Sequence, residues 1–158
     1  FLCAKYLMKN LYTIFGLGFV GTNVVKFLKK KNCKVFLPKK GKYKFSKNLH
    51  NIIYCIGSDN WLNDPKGSFE ANLGIVPKII FDNKFSSFTL ISSTRLYMGS
   101  SKKNTKENNL IHINPNIRNF FFNSLKLSAE SLCLSLQFLI LHQLPNLHAT
   151  ALAEIFLF

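Results

Sequence analysis

Short apolar runs alternate with segments whose apolar residues recur at helical spacing. Four of the runs have the length and continuity of strands that are covered on both faces of a parallel sheet: residues 11–15, 34–37, 52–56 and 88–91. Helices are predicted between and after them, over residues 20–30, 66–82 and 119–137, and a last strand over residues 138–141. Residues 41–50 are polar and basic without a helical period, which predicts a shortened connection in place of a crossover helix.

The alternation of strands and helices predicts the fold class, an α/β doubly wound parallel sheet with right-handed crossovers and helices on both faces. The spacing of apolar residues also predicts which helical faces are buried. In the helix over 66–82 these residues are Phe69, Leu73, Val76 and Ile80. In the last helix the residues expected to face the sheet are Phe121, Leu125, Leu132 and Leu136.

A glycine-rich turn follows the first predicted strand directly, in the sequence Gly16-Leu17-Gly18-Phe19-Val20-Gly21. Gly16 permits a tight turn, Gly18 lets the backbone approach a pyrophosphate, and Gly21 lets the next helix pack closely on the strand. That helix would direct free N–H groups and the positive end of its dipole at the phosphates. The turn therefore predicts a Rossmann-type dinucleotide site with Phe19 and Val20 beside it; the alternative is a glycine-rich turn in any parallel α/β protein.

The net charge of +14 and the pI near 9.8 raise nucleic acid or an anionic membrane as partners. The lysines are scattered among asparagine, phenylalanine and isoleucine residues, as AT-rich coding DNA produces, and no recognition helix or aromatic–basic stripe accompanies them. No apolar run approaches the length of a membrane span, and the cysteines show no metal-ligand spacing. We therefore expect no nucleic-acid partner, no membrane association, no metal, buried free thiols at Cys33, Cys55 and Cys133, and a cytoplasmic location.

The end of the second strand bears on the choice of cofactor. NAD-specific sites place an acidic residue there to accept a hydrogen bond from the ribose 2′-hydroxyl, whereas this chain has Lys39 and Lys40. Ammonium groups attract a 2′-phosphate, so NADP(H) is favoured over NAD(H). The alternative is that both lysines are solvated surface residues of a lysine-rich chain.

Further candidate residues follow the other strands, where ligands of open α/β sheets bind. Hydroxyl groups come at the end of the fourth strand, in Ser92-Ser93-Thr94-Arg95-Leu96-Tyr97-Met98-Gly99. Gly57 follows Ile56 and would leave room for a cofactor, and Asn72 is a further candidate for cofactor binding. Lys126 lies one helical turn after Phe122 in the last predicted helix.

Four motifs occur in order along the chain, at residues 16–21, 52–57, 92–99 and 122–126. Together they resemble the extended short-chain dehydrogenase/reductase family, of the NAD(P)-dependent epimerase/dehydratase type, over residues 9–147. The resemblance implies that the hydroxyl of Ser93, with Thr94 in reserve, holds a substrate oxygen and that Lys126 holds the cofactor ribose. The family's catalytic tyrosine corresponds to Phe122, which has no proton to give. The glycine turn departs as well, because Phe15 occupies the position of a family glycine, which makes the chain an atypical member.

Three explanations of Phe122 remain open at this point: cofactor binding without the standard chemistry, another acid–base group, or a sequence error or decayed gene. The resemblance implies an epimerase, dehydratase or reductase acting on a nucleotide sugar, impaired at this position. The alternative function is a non-catalytic NAD(P)-binding sensor or assembly protein, and a homodimer is left open. We expect residues 1–7 to be a non-native leader, residues 8–147 the NAD(P)-binding domain, and residues 148–158 a truncated or aberrant tail that ends before the substrate region.

Overall fold

The computed structural model describes residues 11–93, 96, 111, 114, 116–117 and 120–136, and the backbone of 139–143. The expectations about residues 1–7 and 148–158, and those about Thr94 and Tyr97, concern positions outside these ranges. No helix in the described ranges is long and apolar enough to cross a membrane.

Five parallel strands form one sheet in the order β2-β1-β3-β4-β5. They are β1 (Leu11–Phe15), β2 (Lys34–Phe36), β3 (Asn51–Tyr54), β4 (Ser87–Ser93) and β5 (Leu139–Gln143). The register places Ile14 beside Ile53 and Phe15 beside Tyr54. The predicted strands agree with these bounds to within two residues, because continuous apolar runs mark strands that are buried on both faces.

Helices cover both faces of the sheet, which confirms the predicted fold class. They are α1 (Phe19–Lys30), α2 (Pro65–Phe69), α3 (Ile75–Asp82) and α4 (Phe120–Ser135). One face packs α1 against Ile14, Ile53 and Ile91. The other face packs α3 and α4 against the neighbouring residues on these strands, whose side chains point to the opposite face of the sheet, such as Tyr54 and Leu90. Strand alternation thus supplies two separate apolar cores.

A π-helical turn, Glu70–Gly74, joins α2 to α3, where the sequence predicts one continuous helix. The start of α2 is capped by the Asp64 carboxylate, whose Oδ1 accepts a hydrogen bond from the N–H of Gly67 at 2.8 Å, and Pro65 occupies the first turn. The pattern did not reveal this turn, because Phe69, Leu73, Val76 and Ile80 also fit the spacing of one continuous α-helix.

The predicted sheet-facing side of α4 is confirmed at Leu125, which is buried, and at Leu132, which packs against the core, but it is wrong at Phe121 and Leu136. Phe121 is 40% exposed, whereas Phe122 is 6% exposed and packs inwards. The buried side chains of this helix are Phe122, Leu125, Lys126, Ala129, Glu130 and Cys133. Lys126 and Glu130 lie on this face, so the apolar positions alone gave only part of it. Phe69 is likewise exposed, and the buried face of α3 is made by Ile75, Val76, Ile79 and Ile80.

The segment between β2 and β3 contains no helix, as predicted. A turn at Lys39 places the Lys42 N–H 3.0 Å from the Lys39 carbonyl, with Gly41 at φ +86°. Leu49 is buried, and its carbonyl accepts a hydrogen bond from the Thr13 hydroxyl at 2.7 Å. The segment therefore packs on the sheet through its own side chains. Of the described cysteines, all free, Cys133 is buried as expected, while Cys33 and Cys55 are half-buried.

Candidate functional site

The site lies where the chain reverses direction across the sheet. From β1 the chain passes to β2 on one side and returns to β3 on the other, so the carboxyl ends of β1 and β3 are neighbours. Ligands of open α/β sheets bind in the crevice outside such a switch point. The glycine turn follows β1 here, and Ile56 and Gly57 follow β3.

Two glycines of the turn are required by close packing. Gly16 has φ +95°, and a Cβ at this position would lie 2.7 Å from the backbone nitrogen of Ile56. A Cβ on Gly21 would overlap the carbonyl oxygen of Gly16 and press on the Cys55 side chain. The turn, the start of α1 and the end of β3 therefore form one tightly packed unit, and both glycines have the structural roles that the sequence predicts.

Gly18 is different, because a Cβ there would have no described atom within 4 Å. It is the N-cap of α1, and no side chain caps this helix end in the described part of the chain. Phe19, the first helical residue, is 73% exposed; Leu17 is exposed, and Val20 is half-buried. The first-turn N–H groups of α1 therefore have no side-chain cap among the described residues, which leaves them available as donors at an anion-binding helix N-terminus.

Asn72 fixes the loop after β3 from the π-helical turn. Its side-chain NH₂ donates to the Ser58 carbonyl at 2.7 Å and to the Ser68 carbonyl at 2.8 Å, and its Oδ1 accepts from the Ser58 N–H at 3.4 Å. The Ser68 hydroxyl donates to the same Ser58 carbonyl at 3.0 Å. Asn72 is 1% exposed, so these bonds hold Gly57 and Ser58 in one conformation from a buried anchor.

Lys126 reaches the same loop from α4. A Cβ added to Gly57 would lie 3.6 Å from Lys126 Nζ and 3.5 Å from Asn72 Oδ1, so these three residues meet at one point. Lys126 is 5% exposed, and its ammonium lies 6.0 Å from the centre of the Phe122 ring. Burial lowers the pKa of Lys126 to about 8, while the charges of Glu130 and Cys55 act in the opposite direction.

Glu130 lies one helical turn after Lys126 and is 4% exposed. Its Oε1 accepts a short hydrogen bond from the buried hydroxyl of Ser92 near the end of β4. Neither side chain is among the site residues assigned from the sequence. The four-residue spacing of a lysine and a glutamate in one predicted helix was the available signal, because it places both on one helical face.

The remaining predicted residues lie around this centre. Ser93 ends β4 and is half-buried, one residue beyond Ser92, and Thr94 lies outside the described residues. Lys39 and Lys40 are exposed in the turn beyond β2. Neither is among the described residues that would contact a Cβ at Gly57. The structure thus brings Gly16 together with Gly21 and Ile56, and Gly57 together with Asn72 and Lys126.

No family model matches the chain, and no curated protein matches its sequence. Solved structures do match its fold. The structure of RMD from Pseudomonas aeruginosa complexed with NADPH is 23% identical with a TM-score of 0.64, and the match covers 84% of this chain and 53% of RMD. UDP-glucose 4-epimerase from Brucella ovis in complex with NAD is 14% identical with a TM-score of 0.63, covering 85% and 50%.

A third structure is a dTDP-4-dehydrorhamnose reductase from Clostridium acetobutylicum, 16% identical with a TM-score of 0.60, covering 84% of this chain and 52% of the reductase. The chain therefore spans about half the length of these proteins. At these identities the likeness shows a shared Rossmann-type fold, the fold that the glycine turn and the strand–helix alternation predict. Two of the three are named as an epimerase and a reductase, classes that the sequence motifs also resemble, and the third is complexed with NADPH.

Proposed function

We propose that this chain binds a nicotinamide dinucleotide in the crevice outside β1 and β3, and that residues 8–147 are the cofactor-binding domain of an epimerase, dehydratase or reductase of nucleotide sugars. The observation that carries the proposal is Gly18. Among the described residues, a side chain at Gly18 would contact no atom and no side chain caps the start of α1. Gly16 and Gly21, by contrast, are packed against protein atoms. A glycine that packing does not require is explained by a ligand that must approach the backbone closely.

The residues of the site fit such a cofactor. The N–H groups at the start of α1 would hold the pyrophosphate, with Gly18, Phe19 and Val20 lining its path. Ile56 and Gly57, fixed by Asn72, would border the remainder of the dinucleotide, and Lys126 would hold a ribose hydroxyl from beside Gly57. The bound nicotinamide would supply hydride transfer. Ser93 would hold the substrate oxygen, with Thr94 as its reserve.

Phe122 makes the proposed active site incomplete. Its ring occupies a buried position near Lys126 and carries no group that exchanges a proton. We therefore propose impaired turnover of nucleotide sugars such as UDP-glucose or dTDP-4-dehydrorhamnose, which similar structures are named for. The same observation favours a second candidate function, a non-catalytic NAD(P)-binding sensor or assembly protein.

Replacing Gly18 by valine tests cofactor binding. The added side chain enters open space in the free protein, so the fold should persist, yet it would occupy the path of the pyrophosphate. We expect the dissociation constant for NADPH, measured by titration of its fluorescence, to rise at least about tenfold, which corresponds to about 1.4 kcal/mol.

The matched control is Ser86→Val, which introduces the same side chain at an exposed position just before β4, at the amino ends of the strands rather than the carboxyl ends. Its affinity for NADPH should equal that of the parent. The proposal fails if Gly18→Val binds as tightly as the parent, or if the parent shows no binding while its circular dichroism spectrum is that of a folded protein.

A preference for NADP(H) is a second prediction, based on the exposed ammonium groups that follow β2. Replacing Lys39 and Lys40 together by alanine should weaken NADPH more than NADH, by roughly 1–3 kcal/mol for lost charge-assisted contacts. Binding of both cofactors by parent and variant, measured at one fixed ionic strength, gives the comparison.

The control for charge is the double variant Lys29→Ala and Lys30→Ala, which removes two exposed lysines from the last turn of α1. This turn lies towards the amino ends of the strands. It should leave the ratio of the two affinities unchanged. If the parent binds NADH at least as tightly as NADPH, Lys39 and Lys40 are solvated surface residues and the preference is wrong.

A further inference from the structure

A buried carboxylate links α4 to the end of β4. Glu130 faces the sheet, one helical turn from Lys126. Its carboxylate accepts a hydrogen bond from the hydroxyl of Ser92, which lies 38 residues earlier in the sequence. Burial of a lone carboxylate is unfavourable unless donors and a cation compensate it. Ser92 supplies a donor, and Lys126 supplies a positive charge on the same helical face.

Among the described residues, the other titratable groups that act on this pair are thiols. Cys55 faces Lys126 from the end of β3, and Cys133 faces Glu130 from the next turn of α4. Burial raises the pKa of both thiols to about 12, so both are neutral at pH 7. Among the groups that the structure describes here, Glu130 is therefore the one whose carboxylate raises the pKa of Lys126.

We infer that Glu130 is a positioning residue, which ties the part of α4 that carries Lys126 to the carboxyl end of β4 through its hydrogen bond to Ser92 and places a carboxylate on the helical face of Lys126. Ser93 follows Ser92 directly, so the same link sets the distance between Ser93 and Lys126, the two residues to which the proposed function gives roles. The inference rests on the proposed function for what those groups act on, and on the contacts of Glu130 for the link itself.

The test is the protonation of Lys126 in the folded protein. With ¹³C-labelled lysine, NMR follows each side-chain Cε resonance as a function of pH, and the Lys126→Met variant identifies the resonance that is lost. The Lys126 midpoint in the parent should lie near 8. Glu130→Gln keeps the size of the side chain and its acceptor oxygen but removes the charge, and should lower this midpoint by about one pH unit or more.

Ser92→Ala tests the link to the strand. It leaves the carboxylate in place without the Ser92 hydroxyl as a donor, so more of the carboxylate's charge acts on the ammonium and the Lys126 midpoint should rise. Opposite shifts in the two variants support a positioning role, since a side chain that only fills space would move neither. The inference is overturned if the midpoint is unchanged in Glu130→Gln or, should that variant not fold, in Ser92→Ala.

NADPH titration of the same samples separates this inference from the proposed function. Opposite shifts of the Lys126 midpoint in samples that do not bind NADPH would support the role of Glu130 while contradicting cofactor binding. Binding of NADPH by the parent with a midpoint that neither variant moves would support the cofactor site and overturn the role of Glu130.

Discussion

Replacing Gly21 by alanine is expected to destabilise the protein by about 3 kcal/mol, at the upper end of the usual cost of overpacking. The added methyl group would overlap the carbonyl oxygen of Gly16, which belongs to the backbone of the turn and cannot rotate away. Relief would require α1 to move off β1, and this helix supplies Val24, Val25 and Leu28 to one of the two apolar cores. Urea unfolding followed by circular dichroism measures the loss.

The matched control is Gly18→Ala in the same turn. Gly18 has φ −70°, which alanine adopts without strain, and a Cβ there meets no described atom. The free energy of unfolding should therefore fall by no more than about 1 kcal/mol, the cost of alanine in place of glycine at a helix N-cap. Equal stability of the Gly21→Ala and Gly18→Ala variants would contradict the packing described for the turn.

Replacing Phe122 by tyrosine is expected to raise turnover of a nucleotide sugar by about a hundredfold or more, since general acid–base catalysis typically contributes 10²–10⁴-fold. The new hydroxyl would be introduced on a buried ring near the Lys126 ammonium, whose positive charge favours loss of the phenolic proton. With dTDP-4-dehydrorhamnose the measurement is the loss of NADPH or NADH absorbance; with UDP-glucose it is the product sugar nucleotide separated by chromatography, because an epimerase returns its cofactor unchanged. Parent and variant are compared at equal cofactor saturation.

Phe121→Tyr provides the control, because it adds the same hydroxyl one residue away on the exposed side of α4. It should leave turnover at the level of the parent. In the Phe122→Tyr background, Lys126→Met should remove the gain. Equal and substantial turnover by the parent and Phe122→Tyr would show that another residue moves the proton, and the role given to position 122 would then be wrong.

The features predicted correctly from the sequence are local. The run over 11–15 is apolar at every position but one, so β1 could be placed without knowledge of its neighbours. Gly16 and Gly18 stand between a strand and a helix and Gly21 lies in the first turn of that helix, so the tight turn at Gly16 and the close packing at Gly21 follow from the missing Cβ. The short connection after β2 was also visible, since it lacks a helical period.

The features predicted wrongly or missed depend on contacts between distant segments. The face of α4 was predicted only in part because Lys126 and Glu130, which a hydrophobic pattern assigns to solvent, point towards the sheet. The role of Asn72 in holding the loop after β3 was missed because its partner Ser58 lies fourteen residues earlier in the chain. Neither partner could be identified from spacing along the chain.

The sequence by itself determined the strands, the glycine turn and the parallel α/β class, because each follows from apolar runs or from glycines that are neighbours in the chain. Only the tertiary structure decided that Gly57, Asn72 and Lys126 meet at one point and that Glu130 is tied to Ser92. The physical reason is that burial of a charged or amide side chain becomes favourable only where folding brings hydrogen-bond donors, acceptors or opposite charges to it from other elements.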